Sequence, residues 1–145
     1  MTPSNIAHIE HSFRLVAPQA EAAAAGFYRR LFELDPSLRP LFQHTDIVAQ
    51  GRKLMQALGF VVANLKVPDQ LLPVVAAMGA RHAGYGVQEA HYPLVGAALI
   101  ETLEGALGEG FTPEVRQAWT AAYGLLAEVM IKAARPPGSP LQAAA

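Results

Sequence analysis

The chain contains no cysteine. That absence excludes disulfides, thiolate metal sites, cysteine nucleophiles and thioether-attached pigments together, and it leaves the redox compartment unmarked. Charge is also scarce and nearly balanced: eleven Lys and Arg stand against twelve Asp and Glu, a formal net charge of −1. No basic field draws in nucleic acid or an anionic membrane, so neither is an expected partner. Uninterrupted apolar runs of about 18 residues are missing. The N-terminus, Met1 to Asn5, carries no charged stretch leading into an apolar one, and the expected location is cytoplasmic. Strand formers are few, and no Asn-Gly or Asp-Gly pair offers a tight hairpin. Also missing are His-Glu-x-x-His, Gly-x-Ser-x-Gly, a Walker loop and the Glu-x-x-His pairs of di-iron bundles, which removes support for hydrolase and nucleotide chemistry.

What is present is helical material. Hydrophobic residues make up 52% of 145 residues, enough for one domain with a substantial core. Proline marks helix starts, because it is tolerated in the first turn and disruptive further in. The spacing predicts a helix from Ser4 or Asn5 to Val16 with Ile9, Phe13 and Val16 on one face, and a second from Pro18 to Leu34. Asp35-Pro36 opens a short helical segment to Phe42, and Thr45 or Asp46 caps a long helix carrying Leu54 and Leu58. Further helices are expected over Pro68 to Ala83, Gln88 to Leu107, and from Thr112-Pro113-Glu114 to the break at Pro136. Pro73 predicts an irregular or shifted first turn in the fourth of the long helices. The domain is expected to span residues 1–135, and the Pro- and Ala-rich residues 136–145 are expected to form a disordered tail.

Five histidines carry the available imidazole chemistry. His8 and His11 share a helix face and read as solvated surface or an adventitious metal contact. His44 falls in a connection, and His91 at a helix start has no assigned role. His82 differs, because it continues the apolar positions Leu71, Val75 and Met78 of its helix. From the residues alone it is either a core imidazole satisfied by a carbonyl or a metal ligand, the former being the commoner arrangement.

The order and spacing of several segments resemble the globin family, specifically bacterial single-domain globins similar to the haem domain of flavohaemoglobins. The resemblance runs from about Ile6 to Met130. It rests on Phe27-Tyr28-Arg29-Arg30-Leu31-Phe32, then Pro36 and Phe42, the pair Gln50 and Leu54, Arg81-His82, the string His91-Tyr92-Pro93-Leu94-Val95-Gly96, and Trp119 through Tyr123-Gly124. It implies an all-α globin fold of about seven helices around a haem pocket, with a short or absent D helix. It also implies haem b, iron protoporphyrin IX, with His82 as iron ligand. Phe42 would wedge against the porphyrin, while Leu54 and Val95 line the pocket. On the distal side, Tyr28 and Gln50 would donate hydrogen bonds to a bound diatomic ligand.

Tyr92 resembles the proximal tyrosine that the family pairs with a glutamate on the last helix. At the matching distance from Trp119 this sequence has Pro136, so that carboxylate and its electronic effect are not expected. The family's flavin-containing reductase domain would begin where this sequence stops, so an external reductase is an expected partner. The resemblance implies reversible binding and transport of dioxygen, with nitric oxide and carbon monoxide as further ligands. Nitric-oxide dioxygenation with a separate reductase is the alternative enzymatic reading. A haem-based gas or redox sensor, or a partner-binding module, is the alternative from another class.

Overall fold

The computed structural model describes residues 1–135; the expected tail and Pro136 lie outside the described residues. Six α-helices follow one another: α1 (Pro3–Val16), α2 (Ala20–Leu34), α3 (Ile47–Ala63), α4 (Pro68–Gly84), α5 (His91–Leu107) and α6 (Pro113–Ala134). Three 3-10 segments, Ala17–Gln19, Pro36–Phe42 and Gly108–Gly110, supply the corners. The fold is the expected all-α arrangement, with no strand among the described residues. Its count of α-helices is six, and about seven is reached only by including the 3-10 segment Pro36–Phe42. No separate helix stands between that segment and α3. No helix among the described residues is long and apolar enough to cross a membrane.

Local chemistry sets the boundaries. The Thr2 hydroxyl accepts from the Asn5 amide at 3.0 Å ahead of Pro3, and the Thr112 hydroxyl from the Val115 amide at 3.3 Å ahead of Pro113. Of the two candidate caps for α3, Asp46 is the one used, its carboxylate accepting from Val48 and Ala49. Pro18 sits in the 3-10 corner rather than opening α2. α4 runs without a break through Pro73, contrary to the expected irregularity. One turn from the helix start, proline deletes only the bond to the carbonyl of the exposed Asp69, which water can satisfy. α5 starts at His91 instead of Gln88, because the Gln88 amide is taken by His91 Nδ1 at 3.0 Å in a preceding turn.

The helices pack unequally. α2 lies on α5 and α3, while α1 crosses α6. Among the described residues only α6 gives α4 an extensive neighbour. Although four residues, Asn64 to Val67, join α3 to α4, the two helices hardly touch each other.

The apolar core runs between them, with Ile9, Val16, Phe27, Leu31, Leu103, Val115 and Trp119 all nearly inaccessible. One buried polar link crosses it. Trp119 Nε1 donates to Ser12 Oγ at 2.8 Å, and Ser12 in turn donates to the His8 carbonyl at 2.7 Å. That bond joins α1 to α6 across 107 residues of sequence. Ser12→Ala therefore strands a buried indole N–H and is expected to lower the unfolding free energy by about 1–3 kcal/mol. Urea denaturation followed by circular dichroism measures it, with Ser4→Ala, an exposed serine of the same helix, as the neutral reference.

Candidate functional site

Four aromatic side chains gather where α2 meets the 3-10 segment Pro36–Phe42. Tyr28 contacts Phe27 edge-on at 5.0 Å, Phe42 edge-on at 5.5 Å, and Phe32 in a stacked arrangement at 6.2 Å between ring centroids. Phe32 and Phe42 meet at 5.5 Å, and the Arg39 guanidinium covers the Phe32 ring at 5.1 Å. Phe42 itself is only half-buried, so one side of its ring remains available beyond the cluster.

Tyr28 is the polar centre of this apolar wall. It is 5% exposed, and burial pushes its hydroxyl up from 10.0 to about 12. The Gln50 side chain, close to that hydroxyl, offsets part of the shift. Gln50 and Leu54 sit one turn apart on α3, both half-buried, so they share a face. Leu54 also borders a void of about 10 Å³ together with Phe27 and Leu99. Thus the structure brings together Tyr28, Gln50 and Phe42, and sets Leu54 beside them.

His82 stands on α4. Its Nδ1 lies 2.6 Å from the Met78 carbonyl oxygen, which can only accept, so Nδ1 carries the proton. In the neutral tautomer that matches this bond, the lone pair is on Nε2. His82 is half-buried, a position compatible with a ligand to a bound group. The end of α4 fixes the same residue through its backbone: the His82 carbonyl accepts from the Val87 amide at 3.0 Å, and the Ala83 carbonyl from the Gly86 amide at 3.1 Å. This closing turn requires the positive φ of +92° at Gly86, which is open to glycine without strain. Gly84, the other expected terminator, is still within the helix.

The buried stripe of α4 differs from the expected one. Leu71, Val75 and Gly79 are buried at four-residue intervals, while Met78 and His82 flank them half-exposed. Gly79 was not among the expected site residues; its signal is a glycine one turn after Val75 on the apolar face.

Beyond α4, Tyr92 is buried and burial raises its hydroxyl above the usual tyrosine value. The Tyr123 hydroxyl donates to the Tyr92 carbonyl at 2.7 Å, tying α6 to the start of α5. Burial and the neighbouring Tyr92 push Tyr123 upward as well. Val95 is half-buried beside the same core. The expected absence of a carboxylate at Pro136 falls outside the described residues. At the nearby end of α6, Arg135 pairs with Glu89 at 3.1 Å.

Among the described residues there is no cluster of three or more His, Cys, Asp or Glu suited to hold a bare metal ion. A prosthetic group that already holds its metal would need only one protein nitrogen, and His82 could provide it. A groove of about 670 Å³ lies elsewhere, between α1, α2 and α3, and none of the seven expected site residues lines it.

A family model described as Globin matches residues 25–130. Similar curated proteins include the flavohemoprotein of Chromobacterium violaceum, 36% identical over 112 residues, covering 76% of this chain and 28% of that protein. The flavohemoprotein of Rhodopirellula baltica is 33% identical over 119 residues, covering 81% and 29%. That of Bacillus subtilis is 30% identical over 125 residues, covering 85% and 31%. The chain spans less than a third of the length of these relatives.

The buried phenol gives a pH signature. A folded-state value above the unfolded one means that stability is full below about pH 10 and declines as pH rises toward 12, since the unfolded chain releases this proton first. Tyr28→Phe is expected to lose less stability across that window, by up to about 3 kcal/mol. Urea unfolding of both proteins at stepped pH measures the difference.

Proposed function

This chain belongs to the globin family, and from that premise we propose that it binds haem and, through it, reversibly binds dioxygen and other diatomic gases. The observation that carries the reading is the bond from His82 Nδ1 to the Met78 carbonyl, which leaves Nε2 as the free nitrogen of an oriented imidazole. Haem, when bound, would supply an iron that His82 could hold and that could take up a diatomic gas. The donor set fits that group: one neutral imidazole, an aromatic wall with a half-buried Phe42, and apolar Leu54 and Val95. Absence of cysteine excludes thioether attachment and favours haem b.

Tyr28 and Gln50 set what the distal side does. A phenol with its pKa raised to about 12 stays protonated at neutral pH and donates a hydrogen bond without becoming an anion. The Gln50 amide is a second donor. Together they hold a polar diatomic ligand more strongly than an apolar one, in a wall where water is scarce. Tyr92 and Val95 on α5, one buried and one half-buried, would add apolar bulk to the lining of the bound group. The relatives' name pairs flavin with haem, and a flavin-bearing electron donor is the partner that reading suggests.

Absorption spectra of the haem-supplemented protein in ferric, reduced and carbon-monoxide-bound forms test this. The expected result is an intense Soret band that moves at each step, lost or weakened to exchangeable haem in His82→Ala. A colourless protein that hemin does not reconstitute overturns the proposal. Tyr28→Phe combined with Gln50→Ala is expected to speed dioxygen release at least about tenfold, equivalent to about 1.4 kcal/mol, in stopped-flow measurements.

A further inference from the structure

The position of His82 depends on how α4 is seated, and α4 has one substantial neighbour, α6. At the centre of that contact lies Gly79, one residue after the carbonyl that holds His82 Nδ1. A β-carbon built on Gly79 would lie 2.5 Å from Met130 Cα and 2.8 Å from its carbonyl carbon, and closer still to its carbonyl oxygen. All three atoms are backbone. A side chain could rotate away from such an approach, whereas a helix backbone has to move as a unit. Restoring ordinary van der Waals distance would part the two helices by on the order of 1 Å.

We propose that Gly79 is a positioning residue for His82: its missing side chain lets α4 rest on the Met130 backbone, and that seat sets where Nε2 meets the bound group. The inference rests on the haem reading above. Three features transmit the displacement. Met78, bonded to the imidazole, is the neighbour of Gly79 in the chain. His82 follows Gly79 by three residues on the same helix, within one turn. Just beyond, the turn at Gly86 locks the His82 carbonyl, so the residue cannot re-aim independently of its helix.

The test compares Gly79→Ala with two controls in the haem-loaded, reduced protein, reading the iron–histidine stretching band by resonance Raman and carbon-monoxide association by flash photolysis. Gly84→Ala adds the same methyl to α4 where nothing lies within 4 Å of it. Ile9→Ala, in α1, lowers stability at a core position away from α4. The expected result is a resolved shift of the band and an association rate altered at least about threefold in Gly79→Ala, with both unchanged in the controls. Met130→Ala thins the side-chain packing that holds α4 against this backbone contact, loosening the seat, and is expected to shift the band by less.

A folded Gly79→Ala protein with an unmoved band overturns the proposal, as does an equal shift in Ile9→Ala. Should Gly79→Ala not fold, an unmoved band in Met130→Ala overturns it and a shifted one upholds it. Failure of the haem reading is separate and visible earlier, as a wild-type chain that takes up no haem.

Discussion

The seat of α4 on α6 is the constraint on which the rest of the arrangement depends. Consecutive helices joined by four residues commonly pack against each other, yet α3 and α4 diverge. α3 leans on α2 and α1, α4 leans on α6, and the separation between them is a consequence of those two attachments. Dispersion forces over a backbone-to-backbone approach are short-ranged, so the close contact at Gly79 fixes α4 more narrowly than interdigitated side chains would. Both the imidazole and the turn that follows it inherit their place from that contact.

On the other wall the problem is electrostatic. A phenol and an amide placed among Phe27, Phe32, Phe42 and Leu54 must satisfy each other or a ligand, since water has little access. Burial keeps Tyr28 neutral, and the neighbouring Gln50 only partly opposes it. The aromatic neighbours contribute shape, because edge-on contacts to Phe27 and Phe42 leave the Tyr28 ring little freedom to turn.

Much of this was legible in the sequence. Helix starts at Pro68 and Pro113 follow from proline stereochemistry, aided at Pro113 by the Thr112 cap, both of which are local; α1 begins at Pro3, just ahead of the expected Ser4 or Asn5. The distinct character of His82 came from the apolar run of its own helix and the pairing of Tyr28 with Gln50 from the family resemblance; Gln50 lies near the Tyr28 hydroxyl, and the Met78 carbonyl fixes the His82 ring. Other features were not legible because they depend on distant partners. His91 shifts the start of α5 by capturing an amide three residues back, a choice periodicity does not reveal. Met78 and His82 continue an apolar run in the sequence, but the stripe that is actually buried passes through Gly79, and only the presence of α6 makes a glycine an interior residue. Tyr123 as the companion of Tyr92 likewise needs 31 residues of intervening chain to be folded first.

The bond from Trp119 to Ser12 joins the first helix to the last across 107 residues, and α6 is also the platform for α4. On a ribosome, α1 to α5 emerge before any of α6 does. Contacts within the first three helices can form during synthesis, while α4 waits for its neighbour. Assembly of the His82 wall is therefore a late, long-range event, and the apolar interior stays open to chaperones or to incoming prosthetic groups until the final helix has been made.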